Sequence, residues 1–398
     1  MTKGKGNMIV AYVLSSTLSN GGATKAFLTM LHGLIRKGVQ PLVVLPDAEG
    51  VYATLMSEGI DVVVLSYRPS TYTYHSTILD KFLFLPRMIS RLVLNYRAAS
   101  SLKRVFAEKK VQLVHTNVSI IEVGRKAAKA LGIPHIIHFR EYGYLDFGFR
   151  YFPSCRKFHE GVRKQGDYSI CITREIQEHH NLKENKRSRV IYDPVVEELG
   201  MMPAAAKENY ILYAGRVQYT KGLDILLEAY NAALERYKGE KAFPRLKVAG
   251  SFAEKEFVDS IKDYISSKNL SDCIDLLGEC NNIRELMSHS RALIVPSRFE
   301  GFGLCMPEAM SEGCLCAGYD NAGTKEQFDN GEAMHGEPIG YRFKSREELS
   351  DFLLHLASTP DSKFEDMRQR AFNTVKELYS TKRNADEVFA FYKEIVKE

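Results

Sequence analysis

The 398-residue sequence has no Cys-x-x-Cys pair, no Asp-x-Asp pair, no Gly-x-Gly-x-x-Gly spacing and no repeated or low-complexity segment. Its seven cysteines are odd in number and thinly spread. That excludes a disulfide scaffold, and they read as reduced cytosolic thiols, several in core strands. Long apolar runs are missing too. Met8–Leu14 is too short for a membrane span, and after the short polar stretch Met1–Asn7 it is wrongly flanked for a signal peptide. With 45% hydrophobic and 26% charged residues and a mean hydropathy of −0.23, a disordered, collagenous or polytopic membrane chain is excluded. The expectation is a cytoplasmic protein, with peripheral attachment to the inner face of the cell membrane left open.

What is present is too long for one core, and about 100 to 200 residues per domain gives two domains. The net charge of +5 conceals an asymmetry. Residues 1–200 carry 28 Lys/Arg against 17 Asp/Glu, or +11, and residues 201–398 carry 26 against 32, or −6. The basic half is where an anionic partner is expected.

Short Val/Ile-rich runs alternate with helical patterns, as strands buried on both faces of a parallel sheet would. The first series is Met8–Ser15, Pro41–Leu45, Asp61–Leu65, Leu113–Thr116, His135–Phe139 and Tyr168–Ile172. The second is Tyr210–Ala214, Arg245–Ala249, Ile274–Leu277, Ala292–Val295 and Cys314–Ala317. Two such series predict an α/β chain of two Rossmann-like domains. The joint falls in Asp193–Glu208, where neither period continues. Residues 1–195 form one domain and 196–380 the other, with 381–398 a terminal helix able to return to the first.

Three loop constellations carry chemistry. Ser19-Asn-Gly-Gly-Ala-Thr-Lys25 joins the first strand to a helix, and Gly21 and Gly22 allow a ligand close to the backbone at that helix N-terminus. A plain tight turn feeding a helix is the rival reading. Asp47, ending the second strand, is weak evidence for a dinucleotide ribose without the glycine fingerprint. Gly215-Arg216 followed by Lys221-Gly222 puts two cations after a strand, a diphosphate clamp in form, although loop cations are usually just solvated. Pro296-Ser-Arg-Phe-Glu300-Gly-Phe-Gly-Leu-Cys-Met-Pro-Glu308 sets two carboxylates eight apart around a glycine turn, before a helix starting near Gly303. Its amides suit phosphate and its glutamates suit sugar hydroxyls. A glycosidase acid/base pair, or a helix cap beside a solvated glutamate, are the rival readings.

Together these motifs resemble the family 4 retaining glycosyltransferases (glycosyl transferases group 1), along nearly the whole chain. The matching features are Gly21-Gly22, His138 in Pro-His-Ile-Ile-His-Phe-Arg, Val190-Ile-Tyr-Asp-Pro-Val, Gly215-Arg216…Lys221-Gly222 and Glu300-x7-Glu308. The resemblance implies the GT-B fold, two Rossmann-like domains with parallel sheets facing across a cleft. The first domain would bind the acceptor and the second the nucleotide-sugar donor. It implies that Arg216 and Lys221 hold the donor diphosphate and stabilise the leaving group in place of a metal. No metal or other cofactor is expected, and the missing Asp-x-Asp pair agrees. Gly22, Gly215, Gly301, Phe302, Gly303 and Leu304 would line the donor. Glu308 would take the ribose hydroxyls, Glu300 the transferred sugar, and His138 would face that sugar. His138, Glu300, Arg216 and Lys221 are thus the implied catalytic set, and Arg140 and Glu141 the acceptor contacts. Members often have Asn where this chain has Asp193, which receives no role.

The expected reaction moves a hexose or N-acetylhexosamine to a glycan or lipid-linked acceptor in surface polysaccharide or glycolipid synthesis. The alternatives are a nucleotide-sugar 2-epimerase of similar fold and a non-catalytic sugar-nucleotide-binding subunit. Lys81–Phe106 reads as a long helix with Leu85, Met88, Ile89, Leu92, Tyr96, Ala99, Leu102 and Phe106 on one stripe and Arg87, Arg91, Arg97, Lys103 and Arg104 around it. It suits either an anionic membrane surface or a Rossmann core. The loop Ser66–Thr77 before it is a candidate acceptor groove. Nucleic acid is not expected as a partner, because the cations lack an interleaved aromatic platform.

Overall fold

The computed structural model of the protein describes residues 8–18, 21–72, 78–152, 154–197 and 199–397. They divide into two compact units. The first comprises residues 1–194 with 381–398, and the second residues 195–380.

The first unit is built on a seven-stranded sheet: β1 Met8–Val13, β2 Val39–Leu45, β3 Asp61–Val64, β4 Leu113–Thr116, β5 His135–Phe139, β6 Tyr168–Cys171 and β7 Ser188–Val190. The strand order is β3-β2-β1-β4-β5-β6-β7, and every pairing is parallel. The central strands β4, β5 and β6 are buried at every position, because helices cover both faces of a parallel sheet. β7 and a short antiparallel ribbon, Thr71–Tyr72 with Arg150–Tyr151, have no counterpart in the apolar runs. They are two or three residues long, and Arg189 and Arg150 interrupt their apolar character.

The helix Gly22–Arg36 covers β1 with Phe27, Met30, Leu31 and Leu34. The terminal helix Thr381–Lys397 packs on the same core through Val388, Phe391, Tyr392 and Ile395. Burying Val388, Phe391 and Ile395 contributes about 5 to 9 kcal/mol of apolar transfer before chain entropy is subtracted. The two helices approach closely at Gly33, where a Cβ would stand 2.8 Å from the Ala385 Cβ.

The long helix runs Ile78–Glu108 and contains Pro86. Its stripe is not uniformly covered. Met88, Asn95, Ala98, Ala99, Leu102 and Phe106 are buried, whereas Leu79, Phe82, Leu85, Ile89, Leu92, Val93 and Tyr96 are exposed. The C-terminal half is therefore a core helix, and the N-terminal half shows its apolar residues to solvent.

The second unit has β8 Tyr210–Ala214, β9 Arg245–Ala249, β10 Ile274–Gly278, β11 Ala292–Val295, β12 Leu315–Tyr319 and β13 Tyr341–Phe343. All are parallel, in the order β10-β9-β8-β11-β12-β13. Both units are thus Rossmann-like parallel sheets. In each, the chain winds outward from one central strand and then crosses to start again on its other side. The crossing lies between β1 and β4 in the first unit and between β8 and β11 in the second. Open α/β sheets bind ligands beyond the carboxyl ends of the strands at such a crossing.

Candidate active site

In the second unit the loops after β8 and β11 flank the crossing and hold the residues singled out from the sequence. Leaving β8, the chain turns through Gly215, whose N–H donates to Ala249 O at 2.9 Å. The neighbouring loop needs Gly250, with φ +143°, because a Cβ there would stand 1.9 Å from Gly215 O. Arg216 is exposed, and its carbonyl accepts from the Tyr213 hydroxyl at 2.9 Å. A single 3-10 turn, Tyr219–Lys221, then ends at Gly222 with φ +69°. A Cβ on Gly222 would stand 2.0 Å from Pro296 O, just past the end of β11. This close approach brings Lys221 against the loop that follows β11.

There Lys221 Nζ donates to Glu300 Oε1 at 2.5 Å, and Ser297 Oγ donates to the same oxygen at 2.9 Å. Glu300 is 7% exposed. Arg298 makes a second tie between the loops. Its guanidinium forks onto Asp224 at 2.8 and 2.6 Å and donates to Tyr219 O at 2.7 Å, 4.0 Å from the centroid of the Tyr219 ring. Its own N–H donates to Thr220 O at 2.9 Å. Gly323 N–H donates to Glu300 O at 2.9 Å, and a Cβ on Gly323 would come within 2.5 Å of Gly301 O. Gln327 Nε2 donates to Phe302 O, and the Phe302 ring is buried with its centroid 5.1 Å from that of Tyr379. Gly303 has φ +79°, a conformation that favours glycine. After Leu304 the helix Cys305–Ser311 begins, with Glu308 in its first turn.

The arrangement is preorganised for a polar anionic ligand. Lys221 has three N–H donors, and one bond to Glu300 leaves others for phosphate oxygens, while Glu300 accepts from hydroxyls. Ser297, Arg298 and Asp224 were not singled out from the sequence. The Arg298–Asp224 fork spans 74 residues, and no local spacing announces it.

In the first unit Gly22 opens the helix after β1, with Gly21 as its uncapped N-terminal neighbour. Ser19 and Asn20 of that motif lie outside the described residues. His138 is the fourth residue of β5 and is fully buried. It belongs to a network of buried polar side chains. His115 Nε2 lies 3.1 Å from His138 Nδ1, and His115 Nδ1 is hydrogen-bonded to the Tyr392 hydroxyl. The Arg140 guanidinium turns inward. It pairs with Asp193, donates to Asn117 O and Oδ1 at 3.2 and 3.3 Å, and donates to His138 Nδ1 at 3.3 Å. Burial, then the Arg140 charge, holds both His115 and His138 well below the ordinary imidazole range, so both are neutral. Burial pushes the Asp193 carboxyl up, and the Arg140 guanidinium opposes that.

Glu141 points to a different cluster. It accepts from Ser119 N at 2.9 Å and Ser119 Oγ at 2.6 Å, and burial pushes its carboxyl up to about 7. Asp193, His115 and Tyr392 had no assigned role. The sequence signal for Asp193 was its place in the Asp-Pro step before the unit boundary.

Residues 202–374 match the sequence model of the family "Glycosyl transferases group 1". The second unit is a group 1 glycosyltransferase domain. The match lies within the second unit. An uncharacterized glycosyltransferase of Methanocaldococcus jannaschii is 26% identical over 231 residues, 56% of this chain and 60% of that protein. The chain thus spans less than two thirds of that relative. The UDP-Gal:alpha-D-GlcNAc-diphosphoundecaprenol alpha-1,3-galactosyltransferase of Escherichia coli is 24% identical, covering 75% of this chain and 80% of its own length. Among solved structures, HepE of Anabaena in complex with UDP superposes with a TM-score of 0.75 at 17% identity, covering 97% of this chain and all of HepE. At that identity the likeness establishes the fold.

Proposed function

We propose that the protein is a retaining, metal-independent glycosyltransferase that moves a hexose or N-acetylhexosamine from a nucleotide-sugar donor to a glycan or lipid-linked acceptor, in cell-surface polysaccharide or glycolipid synthesis. The observation that carries this reading is the Lys221–Glu300 pair, seated at the carboxyl ends of β8 and β11. A diphosphate placed there meets the ammonium of Lys221 and the guanidinium of Arg216, which take up the charge that develops as the nucleotide diphosphate departs. Glu300 and Glu308 accept from sugar and ribose hydroxyls. His138, at the carboxyl end of β5, is assigned the contact to the transferred sugar. The UDP in the HepE complex and the UDP-galactose donor and lipid-linked acceptor in the name of the E. coli relative support this choice of substrates.

The exposed apolar half of the helix Ile78–Glu108 is assigned to an anionic membrane surface, where a lipid-linked acceptor would be presented. No helix among the described residues is long and apolar enough to cross a membrane, so attachment through that helix would be peripheral.

The test is a panel of UDP-, GDP- and dTDP-sugars, read by thermal shift and then by nucleotide release with and without EDTA. A ligand that binds the native state stabilises it by an amount that grows with the logarithm of its concentration over its dissociation constant, and so raises the melting temperature. The reading requires one donor class to stabilise the protein and to be turned over in EDTA, with the anomeric configuration kept in the product. Turnover unchanged in both Lys221→Ala and Glu300→Ala refutes the site.

A further inference from the structure

The buried polar network of the first unit has a direction that its donors and acceptors impose. A guanidinium only donates. Arg140 contacts His138 Nδ1 at 3.3 Å, so that nitrogen is the acceptor and the proton of neutral His138 sits on Nε2. His115 Nε2, 3.1 Å from the same Nδ1, must then be the donor, and the two bonds share one lone pair as a three-centre bond. With its proton on Nε2, His115 presents a bare Nδ1, and the Tyr392 hydroxyl donates to it. The chain runs one way: Tyr392 O–H to His115 Nδ1, His115 Nε2–H to His138 Nδ1. Asp193 and Asn117 hold Arg140 in place at the other end.

His138 Nε2 is the terminus of the chain. It is buried and has no hydrogen-bond partner, and the Asp193 carboxylate is 4.0 Å away, beyond bonding distance. A buried N–H left without an acceptor costs about 1 to 3 kcal/mol. Arg140, His115 and Tyr392 are each hydrogen-bonded around it, and the Nε2–H edge is left facing no protein acceptor among the described residues.

We infer that His115 and Tyr392 are positioning residues that hold His138 as its Nε2–H tautomer, with a single donor edge for an oxygen of the bound substrate. The inference rests on the proposed role of His138 in transfer. Tyr392 lies on the terminal helix Thr381–Lys397, whose Val388, Phe391 and Ile395 anchor it in the core of the first unit. That helix therefore does more than fill the core, since it supplies the first donor of the chain.

The experiment uses the full-length protein with labelled histidine. Nitrogen chemical shifts report which ring nitrogen carries the proton, and the His138 and His115 signals are assigned by substitution. Both are expected as Nε2–H at neutral pH. Tyr392→Phe keeps the ring and removes one donor, and it is expected to give His115 mixed tautomers and to disturb the His138 signal. With the donor found in the panel above, kcat should fall about fivefold to twentyfold and the donor KM stay within twofold. His115→Leu should fall further. His115→Gln, whose amide oxygen accepts from Tyr392 and whose amide nitrogen donates to His138, should return kcat to within about threefold of the native value. A native His138 that is Nδ1–H or an imidazolium overturns the inference. So does a kcat within twofold of native in both Tyr392→Phe and His115→Leu. If the tautomers are as stated but the native protein transfers no sugar, the proposed activity fails and the tautomer assignment stands.

Discussion

Lys221 Nζ and Glu300 Oε1 lie 2.5 Å apart although 79 residues separate them in the chain. The cation that is to hold a diphosphate is thus held first by a carboxylate, and the two substitutions should have opposite effects on binding. Glu300→Gln frees Lys221, so UDP should bind as tightly as before or more tightly while sugar transfer falls about a hundredfold or more. Lys221→Ala removes a charge-assisted hydrogen bond worth about 1.5 to 3 kcal/mol. UDP affinity should then drop about tenfold to a hundredfold. Calorimetric titration with UDP checks both arms, and equal weakening in the two variants would contradict the arrangement.

The pair depends on Gly222. Its φ of +69° is costly for other residues, and a Cβ would stand 2.0 Å from Pro296 O. The clash is with backbone, so no side chain can swing aside to relieve it. Gly222→Ala should destabilise the second unit by about 2 to 4 kcal/mol, read as a lower midpoint in urea unfolding. In variant that stays folded at low temperature, transfer should fall with it, because Lys221 is displaced from Glu300. Ile225→Ala, in the helix that follows, alters packing beside the same turn without moving the backbone, and should leave UDP binding close to native.

Strands were legible where both faces are buried, as in β4, β5, β8 and β11, because Val and Ile runs bounded by turn residues have few other uses. The edge strands β7 and β13 were not, being three residues long with an arginine at the centre. Within the site, local spacing named Lys221 and Glu300 separately but not their pairing. The same limit hid Tyr392 and His115, which are 277 residues apart, and Arg140 and Asp193, which are 53 apart. Long-range polar pairs leave no periodic trace, since each partner alone looks like any polar residue near a strand end. The helix Ile78–Glu108 shows the converse. Its stripe is continuous in sequence, and only packing reveals that Met88, Ala99 and Leu102 are covered while Phe82, Leu85 and Tyr96 are not.

Glu141 makes a pH prediction. Burial raises its carboxyl from 4.5 to about 7 in the folded protein, so between those values the native state holds a proton that the unfolded chain has lost. Its contribution to stability is complete below pH about 4.5, declines as pH rises, and is gone above about 7, a difference of up to about 3 kcal/mol. Buried histidines such as His138 and His180 slope the other way at acid pH, so the native profile alone is ambiguous. The difference between native and Glu141→Gln isolates the carboxyl. The variant should gain on the native protein steadily from pH 5 to 7 and keep a constant lead above that. A difference that is flat across this range would mean that Glu141 is ionised in the fold.

The exposed apolar half of the long helix should decide membrane attachment. Phe82 is 77% exposed and Leu85 63%, and Arg97 is exposed further along the same helix. Arg91 is less available, since it donates to Thr71 O at 2.8 Å. Burying an apolar side chain of this size contributes about 1.5 to 3 kcal/mol, and each cation near an anionic surface adds about 1 kcal/mol that salt screens. The two contributions are therefore separable. The native protein should float with vesicles containing phosphatidylglycerol at low salt and do so only partly at high salt. Phe82→Ser with Leu85→Ser should abolish flotation at both salt concentrations. Arg97→Glu should weaken it at low salt and match the native protein at high salt, because its loss is wholly electrostatic. Neither change touches a buried side chain, so the melting temperature should stay within about 2 °C of native. A native protein that stays in the soluble fraction at low salt would remove the membrane from the account and leave the donor site untouched.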